Sequence, residues 1–375
     1  MILTEKIENT NESWKLALYE YVKAVNEASL RQSDPLQRML PDPLHLRRLR
    51  ARLTGEAARE ADCGIKITRS ELRARIVRHT RIGEQEAAAD VMLHAIRTCE
   101  QRGIPWQEER VEKERVRFRL TQGQWQLVKV EPLESEDRIG SGRLPEISAY
   151  QSHEHREALP SLPYINIPAL SAGDRASRVY PGLSVAGYSE RAAGSLPGHH
   201  DDLYVRRAEY RREEAVAYAE RWWNEPNPAF EKFEVNCTNY VSQCLYAGRA
   251  PMNYTGRRES GWWYKGRDKG RELWSFSWAV ADSLQRYLRL GRESGLRATA
   301  VDSPDKLRPG DVICYDWDGT GRYGHNTIVT AFTADGAPLV NANTVSSRHR
   351  YWDYRDSYAW TTKTRYLFLQ IAEHF

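Results

Sequence analysis

Apolar positions recur at helical spacing near the start of the chain. Trp14, Leu16, Leu18, Tyr21, Val22 and Val25 form a stripe that predicts a helix over 14–26, and a more polar helix follows over 43–60. The period then drops to two. Leu72-Arg-Ala-Arg-Ile-Val-Arg alternates, 87–99 is apolar and partly alternating, and 111–120 sets Val116, Phe118 and Leu120 on one face. WQLVKVE (125–131) keeps that period, and the turn Thr121-Gln-Gly-Gln124 joins it to the strand before as a hairpin. Helices followed by long antiparallel strands predict a small α+β domain over 1–135, an element order that suits a nuclear-transport-factor-like fold. No catalytic constellation shows there, and His79, His94 and Cys99 read as ordinary strand residues.

The pattern disappears over 136–203, which is rich in Gly, Pro and Ser and reads as a mobile linker. His153, His155, His199 and His200 fall in it without a ligand cluster at zinc spacing, so they read as surface residues. Periodicity returns over 204–375. A helix over 209–224 ends where Pro226 and Pro228 forbid continuation. In NCTNYVSQCLYAG, Tyr240, Val241, Cys244 and Leu245 recur at helical spacing, with Asn236 as the N-cap type. Another helix is predicted over 275–290, with Trp278, Ala281, Leu284, Gln285 and Leu288 on its inner face. GDVICYDW, HNTIVTAFT and PLVNANTV alternate as strands joined by turns at 318–321 and 335–336, and 366–371 is a last strand. The fold class is α+β, helices first and antiparallel sheet after.

Composition narrows the function. The chain has 375 residues, enough for two domains, and its net charge of +4 is too weak a field for a nucleic-acid partner. No apolar run is long enough to span a membrane, and the N-terminus lacks a signal-peptide pattern, so a cytoplasmic location is expected. Five cysteines without a compact array fit reduced thiols. Nine of the twelve tryptophans lie beyond residue 204, which implies an aromatic core or groove there.

Cys237 falls in the first turn of its helix, where free N–H groups and the helix dipole favour a thiolate and an oxyanion. Cys244 lies two turns on and reads as core. Among the histidines, His349 sits in the charged run SSRHRYW and His374 is penultimate, so both read as exposed. His325 opens a strand after a glycine-bearing turn and is the candidate base. Asn341 and Asn343 share one face of the next strand, and either suits the role of orienting the imidazole. Trp262, Trp263 and Tyr264 form a glycine-flanked aromatic loop that suits either substrate positioning or core packing. Asp316 and Asp318 begin like a calcium loop, but the twelfth position is Thr327 and the flanks are strands, so a tight acidic hairpin is the reading. No metal or cofactor is expected.

NCTNYVSQCLYAG, GWWY, GDVICYDWDGTGRYGHNTIV, PLVNANT and YWDYRDSYAW together resemble the putative amidase domain family of Firmicutes-type bacteria, over about 210–371. That resemblance implies a papain-like cysteine hydrolase fold, near the NlpC and CHAP groups. It implies a Cys–His–polar triad, with Cys237 as nucleophile, His325 as base and position 343 as the orienting residue. Similar chains usually carry histidine at that position, whereas this one has Asn343. The oxyanion would be held by the Cys237 N–H, with the Asn236 side chain a further candidate. The implied activity is hydrolysis of an amide in a peptide, of peptidoglycan type, through an acyl-thioester. A non-catalytic module holding a peptide or wall fragment in an aromatic cleft is the alternative. The N-terminal domain would then target or dimerise the enzyme.

Overall fold

The computed structural model describes residues 14–30, 41–134, 136 and 209–375, with the backbone alone of 165–166 and 170–171. The linker read over 136–203 lies outside the described residues, apart from Glu136 and those two short stretches.

The fold is α+β with a large antiparallel sheet. Helix α1 (Trp14–Ser29) buries the predicted stripe through Trp14, Leu18, Tyr21 and Val22, while Leu16 stays exposed. Helix α2 (Pro43–Cys63) starts at Asp42, whose carboxylate accepts from the N–H groups of Leu44 and His45, and stops at Gly64 in the left-handed region. Four long strands follow: β1 (Lys66–Ile82), β2 (Glu86–Gln101), β3 (Ile104–Thr121) and β4 (Gln124–Pro132). The predicted hairpin between β3 and β4 forms because Gln122 (φ 52°) and Gly123 (φ 77°) both take the left-handed conformation that a tight turn requires. Two-residue strands β5 (Ile165–Asn166) and β6 (Leu170–Ser171) pair with β1.

The second half contributes α3 (Arg212–Trp222), α4 (Cys237–Ala247), the hairpin β7 (Tyr264–Asp268) and β8 (Arg271–Trp274), then α5 (Phe276–Ala279) and α6 (Ala281–Leu288). Residues 275–290 are thus two short helices rather than one. Val280 is extended (φ −118°, ψ 126°) and breaks the run. Strands β9 (Ala298–Val301), β10 (Val312–Asp316), β11 (His325–Phe332), β12 (Pro338–Ala342), β13 (Ser346–Tyr351) and β14 (Arg365–Ile371) complete the sheet. Its order is β5-β1-β2-β3-β13-β12-β11-β10-β14-β9, with β4 also on β3.

One continuous sheet therefore crosses from the N-terminal strands to the C-terminal ones. The join is β3 with β13, where Val111, Arg110 and Glu109 pair with Ser346, Ser347 and Arg348. Charged side chains close the join. Arg110 meets the Asp356 carboxylate at 2.7 Å, Arg59 meets it at 3.4 Å, and Arg52 donates to the Asp356 carbonyl at 2.9 Å. Arg350 of β13 is paired with Asp356 at 2.9 Å and with Glu136 at 2.8 Å. These groups are buried, so their mutual pairing is what makes the burial tolerable.

The C-terminal sheet has a core on each face. Val312, Cys314, Ile328, Leu369 and Ile371 pack against the helices. Ile313, Tyr315, Trp317, Val329 and Tyr354 form an aromatic core on the opposite face. In the helix-side core, Gly261 (φ 75°) lets the chain pass Asn253, and an added Cβ would run into the Asn253 carbonyl oxygen. Gly261→Ala is expected to destabilise by about 3 kcal/mol in urea unfolding, from left-handed strain plus overpacking.

Candidate active site

Helix α4 is buried from Cys237 to Leu245, which an amphipathic pattern alone does not foretell. Its polar residues are tolerated there because each finds a partner. Asn239 donates to the Glu231 carbonyl (2.9 Å) and accepts from Trp278 Nε1 (2.7 Å). Ser242 donates to the Trp278 carbonyl (2.9 Å), and Gln243 accepts from the Tyr218 hydroxyl (2.7 Å). The helix begins at Cys237 as expected, yet Asn236 does not cap it through its side chain. Asn236 Oδ1 instead accepts from the Phe233 N–H (3.2 Å) and from Asn239 (2.9 Å), and its Nδ2 donates to Asn343 Oδ1 (2.8 Å). Among the described residues, no backbone hydrogen bond outside the helix takes the Cys237 N–H.

His325 is the first residue of β11 and lies beside Cys237. Burial pushes the Cys237 thiol up. The charge of His325, its side-chain contact, the Asn326 N–H and the Thr238 hydroxyl pull it down harder, and the thiol ends below its ordinary value. The other buried cysteines go the opposite way. Burial pushes Cys99 up to about 12 and raises Cys244 and Cys314 strongly. Cys244 is core, as its spacing predicts. Asn326 also ties the strand to the helix, donating from its side chain to Thr238 Oγ1 at 3.2 Å.

Neither Asn343 nor Asn341 is hydrogen-bonded to His325; both hold other partners. Asn341 pairs with Ile328 and faces the helices, whereas His325 alternates with Thr327 and Val329 toward the aromatic core. Asn343 Nδ2 donates to the Trp223 carbonyl (2.6 Å), and its Oδ1 holds Asn236. Asn341 accepts from Thr330 (3.0 Å) and the His349 N–H (2.8 Å), and donates to Glu220 (2.9 Å). Asn343 thus braces the approach to α4. Asn343→Ala is expected to lower stability by about 1–3 kcal/mol in urea while leaving the pH profile of thiol alkylation in place.

The ring of His325 lies among Tyr315, Trp317 and Tyr354, with centroids 5.5, 5.9 and 5.3 Å away. Its Nε2 is 3.5 Å from the Tyr354 hydroxyl. Its Nδ1 is buried and meets no hydrogen-bond partner. Tyr354 was not legible as a site residue in the sequence; the aromatic density of YWDYRDSYAW was its only signal.

Three further expectations are corrected or sharpened. Trp262 and Trp263 are 0% and 2% exposed, so they pack the core rather than line a groove. Their indole N–H groups are taken by Ser242 (3.0 Å) and by the Ser260 carbonyl (3.0 Å). Tyr264 is half-buried, stacks on Trp274 and Trp278, and accepts from the Glu231 N–H at 2.6 Å. His349 is not exposed, because SSRHRY is strand β13 and its ring meets Glu220 at 3.0 Å. His374 is exposed, as read from the sequence. The Asp316 carboxylate accepts from the N–H groups of Thr320 (3.2 Å) and Gly321 (2.7 Å), which closes an acidic turn. Among the described residues, no three His, Cys, Asp or Glu side chains gather to hold a metal, and no helix is long and apolar enough to cross a membrane.

The family comparison bears on the same half. Residues 209–369 match the family described as "Putative amidase domain". The matched segment holds Cys237, His325 and both asparagines. A Bacillus subtilis (strain 168) relative, "Uncharacterized protein YhbB", is 46% identical over 194 residues, 52% of this chain and 58% of its own length. This chain thus spans less than two thirds of that relative. A solved structure, the intermembrane space region of chloroplast protein ARC6, is 14% identical, with a TM-score of 0.24 over 32% of this chain and 95% of its own.

Proposed function

We propose that the amidase-family segment is a papain-like cysteine hydrolase that cleaves an amide bond, with Cys237 as nucleophile and His325 as base. The observation that carries this reading is the placement of Cys237 as the first residue of α4, beside His325. Of the four buried cysteines, only the one beside a histidine at a helix N-terminus is pulled below its ordinary value. His325 Nδ1 takes the thiol proton, and the Cys237 sulfur attacks the amide carbonyl carbon. The carbonyl oxygen becomes an oxyanion held by the Cys237 N–H, with the Asn236 side chain, whose Nδ2 also holds Asn343, as a further candidate donor. As the C–N bond breaks, the imidazolium gives its proton to the leaving amine. Water then attacks the acyl-thioester, His325 takes its proton, and the carboxylic acid and thiol are released.

The substrate class we favour is a peptide amide of peptidoglycan type. The N-terminal unit of helices α1 and α2 on strands β1–β4 suits a nuclear-transport-factor-like module, placed against the hydrolase rather than free of it. One observation favours the non-catalytic alternative: Cys237 and His325 are 1% and 0% exposed, so a substrate must open its own approach. A panel of amide substrates that includes muropeptides, run with wild type and Cys237→Ala, separates the two. Release of amine by wild type alone supports the hydrolase. Binding of a panel member without turnover supports the module.

A further inference from the structure

We propose that Tyr354 is the positioning residue of His325, and that the N-terminal unit holds Tyr354 in place through Asp356 and Arg350. This rests on the cysteine-hydrolase reading and extends it to residues outside the expected triad.

The first support is geometry. Tyr354 is fully buried, and its hydroxyl is the hydrogen-bond partner of His325 Nε2, at 3.5 Å. The contact is long, as catalytic hydrogen bonds often are before substrate binds. The hydroxyl also lies 3.3 Å from Ser347 Oγ on β13. A consistent proton arrangement follows. His325 Nε2–H donates to the Tyr354 oxygen, Tyr354 O–H donates to Ser347, and Nδ1 keeps its lone pair for the Cys237 proton. No proton leaves Tyr354, whose hydroxyl burial raises and thereby keeps neutral.

The second support is the conformation of Tyr354. Its φ of 55° lies in the left-handed region, which a bulky side chain adopts only where its surroundings impose it. The surroundings are visible. The Arg350 guanidinium stacks 3.7 Å from the Tyr354 ring centroid. Arg350 is fixed by Asp356 and Glu136, and Asp356 is fixed by Arg59 of α2 and Arg110 of β3. A chain of contacts thus runs from the N-terminal helix and strand to the imidazole. The other titratable groups around the pair are Cys314 and Tyr315 of β10.

The test is the rate of Cys237 alkylation by iodoacetamide from about pH 5 to about pH 9, read by mass-spectrometric peptide mapping. Tyr354→Phe keeps the ring under Arg350 and removes only the hydroxyl. It is expected to raise the midpoint by about half to one unit, slowing alkylation near pH 6 roughly three- to tenfold. Ser347→Ala should shift it in the same direction by less. A folded Tyr354→Phe whose midpoint stays at the wild-type value overturns the positioning role. If Tyr354→Phe does not fold, an unshifted Ser347→Ala overturns it. Arg59→Gln, which leaves Arg110 and Arg350 on Asp356, should also raise the midpoint. A folded Arg59→Gln with the wild-type profile overturns the part given to the N-terminal unit. A wild-type midpoint near the free-thiol value, about 8.5, would instead overturn the cysteine-hydrolase reading itself.

Discussion

Cys237→Ala is expected to remove amide hydrolysis by about four orders of magnitude or more, while Cys244→Ala keeps it within roughly tenfold of wild type. The two residues share one helix and are both buried, so composition does not separate them. Position does. Cys237 meets His325, the Asn326 N–H and Thr238, and its thiol is lowered. Cys244 packs in the helix-side core, and burial raises it strongly. Its replacement removes a small apolar group, so its cost should appear as about 1–3 kcal/mol in urea unfolding rather than in turnover. Turnover retained by Cys237→Ala, or lost in a folded Cys244→Ala, would reverse the assignment.

The second large effect concerns the charged join. Asp356→Asn is expected to destabilise by about 3–5 kcal/mol, because it leaves Arg59, Arg110 and Arg350 buried around a neutral side chain. The same carboxylate sets a pH dependence. Burial alone would raise Asp356, but Arg350, Arg59, Arg110 and Arg97 hold it well below the usual carboxylate range. A depressed folded value means that its stabilisation is fully present above the unfolded value, about 3.9, and is lost as pH falls below it. Glu112 titrates in the same acid window. Burial pushes it up, yet Arg52 and Arg110 hold it at about 2. Thermal unfolding followed from about pH 6 down to about pH 2 should therefore show a steep acid limb, shallower in Asp356→Asn. An unchanged limb would remove Asp356 from the account.

Much of the molecule was legible in the sequence. The stripe from Trp14, the alternation from Leu72 to Glu131 and the helix start at Cys237 all follow from local pattern. Strand β13 was not, because SSRHRY is charged and its pairing with β3 depends on residues far away in the chain. Strand β3 shows the same limit. Glu108, Arg110 and Glu114 are buried alongside Val116 and Phe118, since Arg97 of β2 meets Glu108, Asp356 meets Arg110 and the Tyr21 hydroxyl of α1 donates to Glu114. The split at Val280 follows from backbone geometry that helical spacing does not report. That neither asparagine meets His325 has a topological reason. A period of two put Asn341 and Asn343 on one face, but no local pattern says that His325 faces the other. Tyr354 takes its place from a left-handed turn that a tyrosine does not announce.

The most direct test of the central claim is competitive alkylation of the native protein by iodoacetamide near pH 6.5, with each cysteine followed by peptide mapping. Cys63 is the only cysteine that is not buried, so exposure alone would make it react first. The account predicts that Cys237 is modified first, because it alone among the buried thiols is lowered and paired with a base. Modification of Cys63 ahead of Cys237 would contradict it.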